Sequence, residues 1–198
     1  MLILASQSPR RAELLRNAGI PFEIRPAEVD ERTRPGEEPL EYVRRLAQEK
    51  ALAVLASAPR GALVLGADTT VVVDGESLSK PADQAEARRM LERLSGRAHE
   101  VITGVCLAWH NRLGAAMTEV EYEVTKVEFA AMSGGEIAAY VASGEPMDKA
   151  GAYAIQGRAS RWIPRISGCY FNVVGLPVAR VCAMLERARG TERLTAAE

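Results

Sequence analysis

The segment LILASQSPRRAELLRNAG, residues 2–19, passes from a short apolar strand pattern directly into an amphipathic helix pattern. Ser8 is a favoured N-cap residue and Pro9 suits the first helical position, so a helix is predicted to begin there. Arg10 and Arg11 then lie in the first turn, where the helix dipole disfavours a cation by ~0.3–1 kcal/mol. A bound phosphate would offset this, because free N–H groups, the dipole and two guanidinium groups would converge on one anion. The alternative is a pair of solvated arginines on an exposed turn.

The overall composition argues against large polyanionic partners. The 198 residues include 25 Lys and Arg against 26 Asp and Glu, so no broad basic field attracts nucleic acid or an anionic membrane. No apolar run approaches the ~20 residues that span a bilayer, and no signal-peptide pattern is present. We therefore expect a cytoplasmic protein. Cys106, Cys169 and Cys182 are too widely spaced for a disulfide framework or a zinc site.

Hydrophobic periodicity predicts helices and strands that alternate along the chain. Ser133 and Glu136 form a capping-box signature, and a change of phase near Thr125 suggests a β-bulge. The predicted elements are helices over 9–18, 39–58, 82–94, 133–144 and from 178 onward, with strands over 2–4, 62–67 followed by a hairpin, 99–109 and 120–129. This order predicts an α/β or α+β protein with a mixed sheet covered by helices. We assign residues 1–189 to a single domain and 190–198 to a frayed tail.

Candidate acids follow two apolar segments. Asp68 comes after the buried pattern LVLGA, at the predicted end of a strand, where an aspartate can hold a metal or activate water. A simple turn cap is the alternative. Glu28, Asp30 and Glu31 form an acidic cluster, and one of them with Asp68 would suffice for Mg²⁺ bound to phosphate oxygens. A solvated acidic loop is the other interpretation of that cluster.

Two lysines and a glutamine complete the candidate set. Lys50 borders the apolar face of a predicted helix, where snorkelling is the common explanation, and Lys80 lies in the LSKP segment. Together with Arg10 and Arg11 they could neutralise a triphosphate as water attacks. Gln156 lies in a Gly-rich segment, residues 145–175, and its amide could read a base edge because it both donates and accepts. A surface glutamine at a turn is the alternative.

These motifs, in this order, resemble the Maf family of nucleoside triphosphate pyrophosphatases. The resemblance covers roughly residues 2 to 180 and rests on the following segments: LASQSPRRAELL, VDE, QEKA, GADTTVVVDGESLSKP, MLERLSGRAHEVITGV, EPMDKAGAYAIQG and NVVGLPV. It implies an elongated mixed sheet flanked by helices, with a nucleotide cleft between two lobes. It also implies hydrolysis of a nucleoside triphosphate to the monophosphate and pyrophosphate, with a divalent cation such as Mg, Mn or Co.

The resemblance also implies roles for individual residues. Asp68 would be the proton acceptor that activates water, and Arg10, Thr69 and Gln156 would set substrate choice. The remaining motif-matched polar residues are Ser6, Arg11, Glu31, Lys50 and Lys80. On charge and polarity we assign Ser6, Arg11, Lys50 and Lys80 to phosphate, and Glu31 with Asp68 to the metal.

The segment GAYAIQG is similar to that of the family branch that hydrolyses dTTP and UTP, in a housecleaning role. One alternative is a pyrophosphatase for 7-methyl-GTP or non-canonical purine nucleotides. Another is a non-catalytic nucleotide-binding regulator of cell division, which the joint presence of Asp68, Glu31 and the cations disfavours. The sequence leaves open whether the protein is a monomer or a homodimer.

Overall fold

The computed structural model describes the backbone of residues 1–194 and the side chains of residues 1–188, and its main feature is a seven-stranded mixed sheet. The strands are β1 (Leu2–Leu4), β2 (Phe22–Ile24), β3 (Leu63–Val73), β4 (Glu76–Leu78), β5 (Ala98–His110), β6 (Ala116–Glu128) and β7 (Arg165–Ser167). The helices are α1 (Pro9–Asn17), α2 (Pro39–Leu55), α3 (Gln84–Leu94), α4 (Gly134–Ala142), α5 (Tyr170–Val174) and α6 (Val178–Leu194), and short 3-10 helices cover Glu145–Asp148, Ala150–Ala152 and Arg158–Trp162.

One edge of β3 has a gap in its strand pairing, the notch, at residues 66–70. The strand order is β2-β1-β3-β5-β6-β7, with β1 parallel to β2 and β3 and with antiparallel pairing from β3 to β7. On one edge of β3, β1 pairs only as far as Leu65, and β4 pairs only from Val71 onward. In the described part of the chain, residues 66–70 therefore have no strand partner on that edge, although β5 covers the other.

Helices cover both faces of this sheet, which confirms the predicted α/β class. Side chains alternate along β3, so Leu65 and Ala67 pack into a large core with α1, α3, α4 and α6. Val64 and Val72 face the other way and pack with apolar residues of α2. Among the described helices, none is long and apolar enough to cross a membrane.

The predicted bulge near Thr125 is wrong. The pairing of β5 with β6 runs without a slip from Ala98 opposite Glu128 to His110 opposite Ala116. The phase of the apolar pattern changes because Val124 packs on the α2 side, whereas Val127 packs into the large core on the other face. A straight strand covered on both faces therefore produced a pattern that resembles a bulge.

Three other predictions require correction or completion. Asp68 was expected at the end of a strand, but β3 is one continuous strand of 11 residues and Asp68 lies near its middle. The short elements β2 and α5 were not predicted, since three and five residues are too few for a clear periodicity. The predicted tail, 190–198, overlaps the end of α6, and residues 195–198 lie outside the described residues.

Two glycines allow α2 to lie directly on the sheet. A Cβ atom at Gly66 would lie 2.1 Å from the backbone oxygen of Ala47, and one at Gly104 would lie 2.3 Å from that of Val43. Gly104 pairs with Asp68 across β3 and β5, so this close approach occurs beside the candidate acid. The absence of two side chains thus sets how near α2 comes to Asp68.

We expect Gly66→Ala to lower the free energy of unfolding by about 2–3 kcal/mol, the upper part of the range for overpacked cores. The clash is with backbone atoms, which cannot rotate away, so the helix itself must shift. Urea unfolding followed by circular dichroism would measure the change. Gly134→Ala is the control, because Gly134 begins α4 and has nothing within 4 Å of an added Cβ. Equal stability of the two variants would contradict the prediction.

Candidate active site

A cavity of about 700 Å³ opens at the notch in β3. Asp68 and Thr69 point to opposite faces of the sheet, yet both line the cavity because the strand edge between them is uncovered. The cavity brings together all nine residues that the sequence predicts for the site: Ser6, Arg10, Arg11, Glu31, Lys50, Asp68, Thr69, Lys80 and Gln156. The cavity lies beyond the carboxyl ends of β1 and β2 and beside the middle of β3.

Lys50 and two carboxylates form the charged centre of this cavity. The Nζ atom of Lys50 lies 2.7 Å from Oδ1 of Asp68 and 2.6 Å from Oε1 of Glu31. The side chains of Lys50 and Asp68 are only 9% and 12% exposed, whereas that of Glu31 is 55% exposed. Lys50 is therefore not a snorkelling surface lysine, and the close approach of α2 to β3 explains its contact with Asp68.

The loop between β2 and α2 supplies Glu31. The hydroxyl of Tyr42 donates to the backbone oxygen of Glu31 at 3.0 Å and thereby ties the loop to α2. Partial burial would raise the pKa of the Glu31 carboxyl, but the hydrogen bond and charge of Lys50, with the charges of Lys80 and Arg11, outweigh it and lower the pKa. Glu28 and Asp30 do not line the cavity, so only one member of the acidic cluster enters the site.

Arg11 is held by the protein itself. Its Nε donates to the backbone oxygen of Gly175 at 2.8 Å, and its two terminal nitrogens donate to the hydroxyls of Ser6 and Thr69 and to the backbone oxygen of Ala67. Four of its five N–H groups are thus used. Burial lowers the pKa of Arg11, and the charge of Asp68 partly offsets this. This guanidinium mainly joins the start of α1 to β3, and one N–H group is left for a ligand.

The hydroxyls of Ser6 and Thr69 belong to the same network. Ser6 accepts the backbone N–H of Ser8 at 3.1 Å, while the Ser8 side chain does not cap α1. The start of α1 therefore has no side-chain cap at the cavity wall, which is compatible with anion binding there. Oγ1 of Thr69 lies 2.9 Å from Oγ1 of Thr103 and also accepts from Arg11, so the Thr69 hydroxyl already has two protein partners.

Arg10 forms an ion pair with Asp148, a residue that the sequence did not lead us to select. Its guanidinium lies 2.9 Å from Oδ2 of Asp148, and its side chain stays 27% exposed. Burial would raise the pKa of Asp148, but Lys149 and Arg10 outweigh this and lower it. Asp148 and Lys149 both line the cavity, and the segment EPMDKAG that contains them was the available signal.

Lys80 and Gln156 remain available to a ligand. Both side chains are exposed at the cavity wall, and neither hydrogen-bonds to another residue in the described part of the chain. Lys80 can therefore meet an anion without first breaking an ion pair. The Gln156 amide keeps its donor and acceptor groups for an incoming molecule.

A divalent cation would find two carboxylates here. No cluster of three or more His, Cys, Asp and Glu side chains suited to a metal occurs in residues 1–188. Mg²⁺ commonly uses one or two protein carboxylates with substrate phosphates. Glu31 and Asp68 already converge on one cationic group, Lys50, so this pair fits a cation that phosphate oxygens also bind.

The fold and the cavity define a mixed α/β protein with one polar cavity that both cationic side chains and carboxylates line. The chain belongs to the Maf family: the family model described as Maf-like protein matches residues 1–188.

Relatives and one solved structure extend this comparison. The chain is 56% identical over 187 residues to a dTTP/UTP pyrophosphatase of Koribacter versatilis, covering 94% of each chain. It is 58% identical over 184 residues to a dTTP/UTP pyrophosphatase of Symbiobacterium thermophilum, covering 93% of this chain and 92% of that one. The Ham1 protein of Staphylococcus aureus aligns with a TM-score of 0.47 at 15% identity over 65% of this chain and 71% of the other.

Proposed function

We propose that this protein hydrolyses dTTP and UTP to the monophosphate and pyrophosphate. The observation that carries the proposal is the cavity in which Asp68 lies beside Lys50 and Glu31, surrounded by further cations. Two relatives that are more than half identical over nearly their whole length have the name dTTP/UTP pyrophosphatase, and this supports the choice of substrates.

In this proposal Asp68 accepts the proton of the attacking water. The bond between the α- and β-phosphates breaks, the hydroxyl of water joins the nucleotide phosphate, and pyrophosphate leaves. Lys50, Lys80 and Arg10 offset the negative charge on the phosphates, which is the main requirement of phosphoryl-transfer sites. Arg11 and Ser6 shape the start of α1 and offer few free donors of their own.

We also propose that a divalent cation, Mg, Mn or Co, acts with the substrate. Glu31 and Asp68 would hold it, and it would supply charge neutralisation at the phosphates. The substrate is the partner that this proposal names, and a cytoplasmic location agrees with the use of free nucleotides. The near-neutral charge of the chain gives no support for nucleic acid or membrane as a partner.

The test is to incubate the purified protein with dTTP, UTP, CTP, 7-methyl-GTP and ITP under each of the three metals and to identify the products. We expect pyrophosphate, not single phosphate, with dTTP and UTP as the fastest substrates. Preference for 7-methyl-GTP or ITP would favour the purine alternative. Binding without release of pyrophosphate would favour a nucleotide sensor and contradict the proposal.

We expect Gln156→Ala to reduce the preference for UTP over CTP, measured as the ratio of kcat/KM values, by about 2- to 12-fold. Loss of one hydrogen bond to the base costs ~0.5–1.5 kcal/mol, which corresponds to this range. Gln84→Ala is the matched control, since Gln84 is an exposed glutamine of α3 outside the cavity. An unchanged ratio in Gln156→Ala would exclude a base-reading role.

A further inference from the structure

Two residues that do not line the cavity, Tyr140 and Glu145, hydrogen-bond to the backbone of the turn that contains Gln156. The hydroxyl of Tyr140 donates to Oε1 of Glu145 at 2.8 Å and accepts the backbone N–H of Ala154 at 3.1 Å. The Glu145 carboxylate accepts the backbone N–H of Arg158, at 3.0 Å and 3.2 Å to its two oxygens. The backbone is thus fixed two residues before and two residues after Gln156.

The shape of the turn fits the carboxylate. The N–H of Gly157 donates to the backbone oxygen of Ala154 at 3.0 Å and closes the turn at Gln156. A Cβ atom at residue 157 would lie 2.2 Å from Oε1 of Glu145, so the backbone of Gly157 lies directly against the carboxylate. A side chain at this position would push the Glu145 carboxylate away from the turn.

The Tyr140 side chain is itself buried and packed against other residues. Tyr140 is only 2% exposed, and its ring packs edge-on against Trp162 with centroids 5.5 Å apart. Burial raises the pKa of the Tyr140 hydroxyl, so the group stays protonated and keeps donating to Glu145. The Tyr140 side chain comes from α4, which the capping box of Ser133 and Glu136 anchors at its start.

We propose that Tyr140 and Glu145 are positioning residues for base selection: they fix the turn of Gln156 so that its amide reaches the substrate base from one position. This inference rests on the proposed function and adds the residues that make Gln156 selective. An amide can turn over to satisfy either uracil or cytosine, because the two bases exchange donors and acceptors on this edge. The amide can favour either base only if its distance and direction to the base are constant, and the fixed backbone of the turn provides that constant position.

The test uses Tyr140→Phe, which removes the hydroxyl but keeps the ring against Trp162. We expect the preference for UTP over CTP to fall about 3- to 10-fold, while kcat with UTP changes less than twofold. Glu145→Ala, which removes both acceptor oxygens, should act in the same direction. Tyr122→Phe is the matched control, since Tyr122 is 43% exposed on β6 and outside the cavity.

A double variant separates positioning from general structural damage. Gln156→Ala with Tyr140→Phe should have the same base preference as Gln156→Ala alone, because the hydroxyl acts only through Gln156. The preference is measured both from kcat/KM and, by calorimetry, from the dissociation constants of UTP and CTP. An equal loss for both nucleotides in Tyr140→Phe, or an unchanged preference, would overturn the inference.

The inference and the proposed function fail in different ways. If the wild-type protein releases no pyrophosphate, the proposed function is wrong, and the ratio of dissociation constants still tests the positioning. If Gln156→Ala changes the preference but Tyr140→Phe and Glu145→Ala do not, only the positioning is wrong. If Gln156→Ala leaves the preference unchanged, the turn does not read the base and the inference is overturned.

Discussion

Asp68→Asn is expected to lower kcat by about 10²- to 10⁴-fold, the range that a positioned general base contributes. The substitution preserves the shape of the side chain, and the amide oxygen can still accept the hydrogen bond that Lys50 now donates at 2.7 Å. What is lost is the negative charge, and with it the ability to take a proton from water and part of the binding of a divalent cation. In the absence of divalent cation the nucleotide should still bind, with a dissociation constant within about threefold of wild type on the scale of a weakened hydrogen bond.

The matched control is Asp74→Asn, the same chemical change six residues further along. Asp74 lies in the turn after β3 with a positive φ of 55°, a conformation that asparagine also adopts readily. Its ion pair with Arg97 is exposed to solvent and contributes little to stability. Release of pyrophosphate and nucleotide binding by calorimetry measure both variants. A folded Asp68→Asn protein with near-normal turnover would end the assignment of Asp68 as the proton acceptor.

Local sequence signals predicted the local structure of the site well. Ser8 and Pro9 marked the start of α1, and Ser133 with Glu136 forms the capping box that the spacing indicated. These features depend on residues within one helical turn of each other, so the sequence contains the whole interaction. The sign and number of the charges also indicated that anion binding would be local, since the net charge is −1.

Other features of the site depend on contacts between residues that are far apart in the chain, and local sequence signals could not predict these. Asp68 reaches the cavity because β1 ends and β4 begins at particular residues of β3, and no pattern within β3 reports where its neighbours stop. Arg11 was assigned to phosphate, but its Nε donates to a carbonyl 164 residues further along the chain. The supporting contact between Tyr140 and Ala154 likewise depends on how α4 meets the turn.

Lys50→Met is expected to lower kcat/KM by about 10²- to 10³-fold and the free energy of unfolding by about 2–3 kcal/mol. Methionine keeps an unbranched apolar side chain of similar length, so the change removes mainly the ammonium group. Without it, Glu31 and Asp68 face each other uncompensated and repel both one another and the triphosphate. Removal of one partner from a buried pair costs ~3–5 kcal/mol, and we expect less here because the cavity is open to water.

Lys80→Met separates the two effects of this substitution. Lys80 lines the same cavity but is exposed and makes no ion pair within the described residues, so its loss should reduce kcat/KM while leaving unfolding within about 0.5 kcal/mol of wild type. Steady-state kinetics and urea unfolding measure both variants. Lys50→Met would then be distinguished by lower stability as well as lower activity. If Lys50→Met were as stable as Lys80→Met, the two carboxylates would not depend on Lys50, and its central place in the site would be wrong.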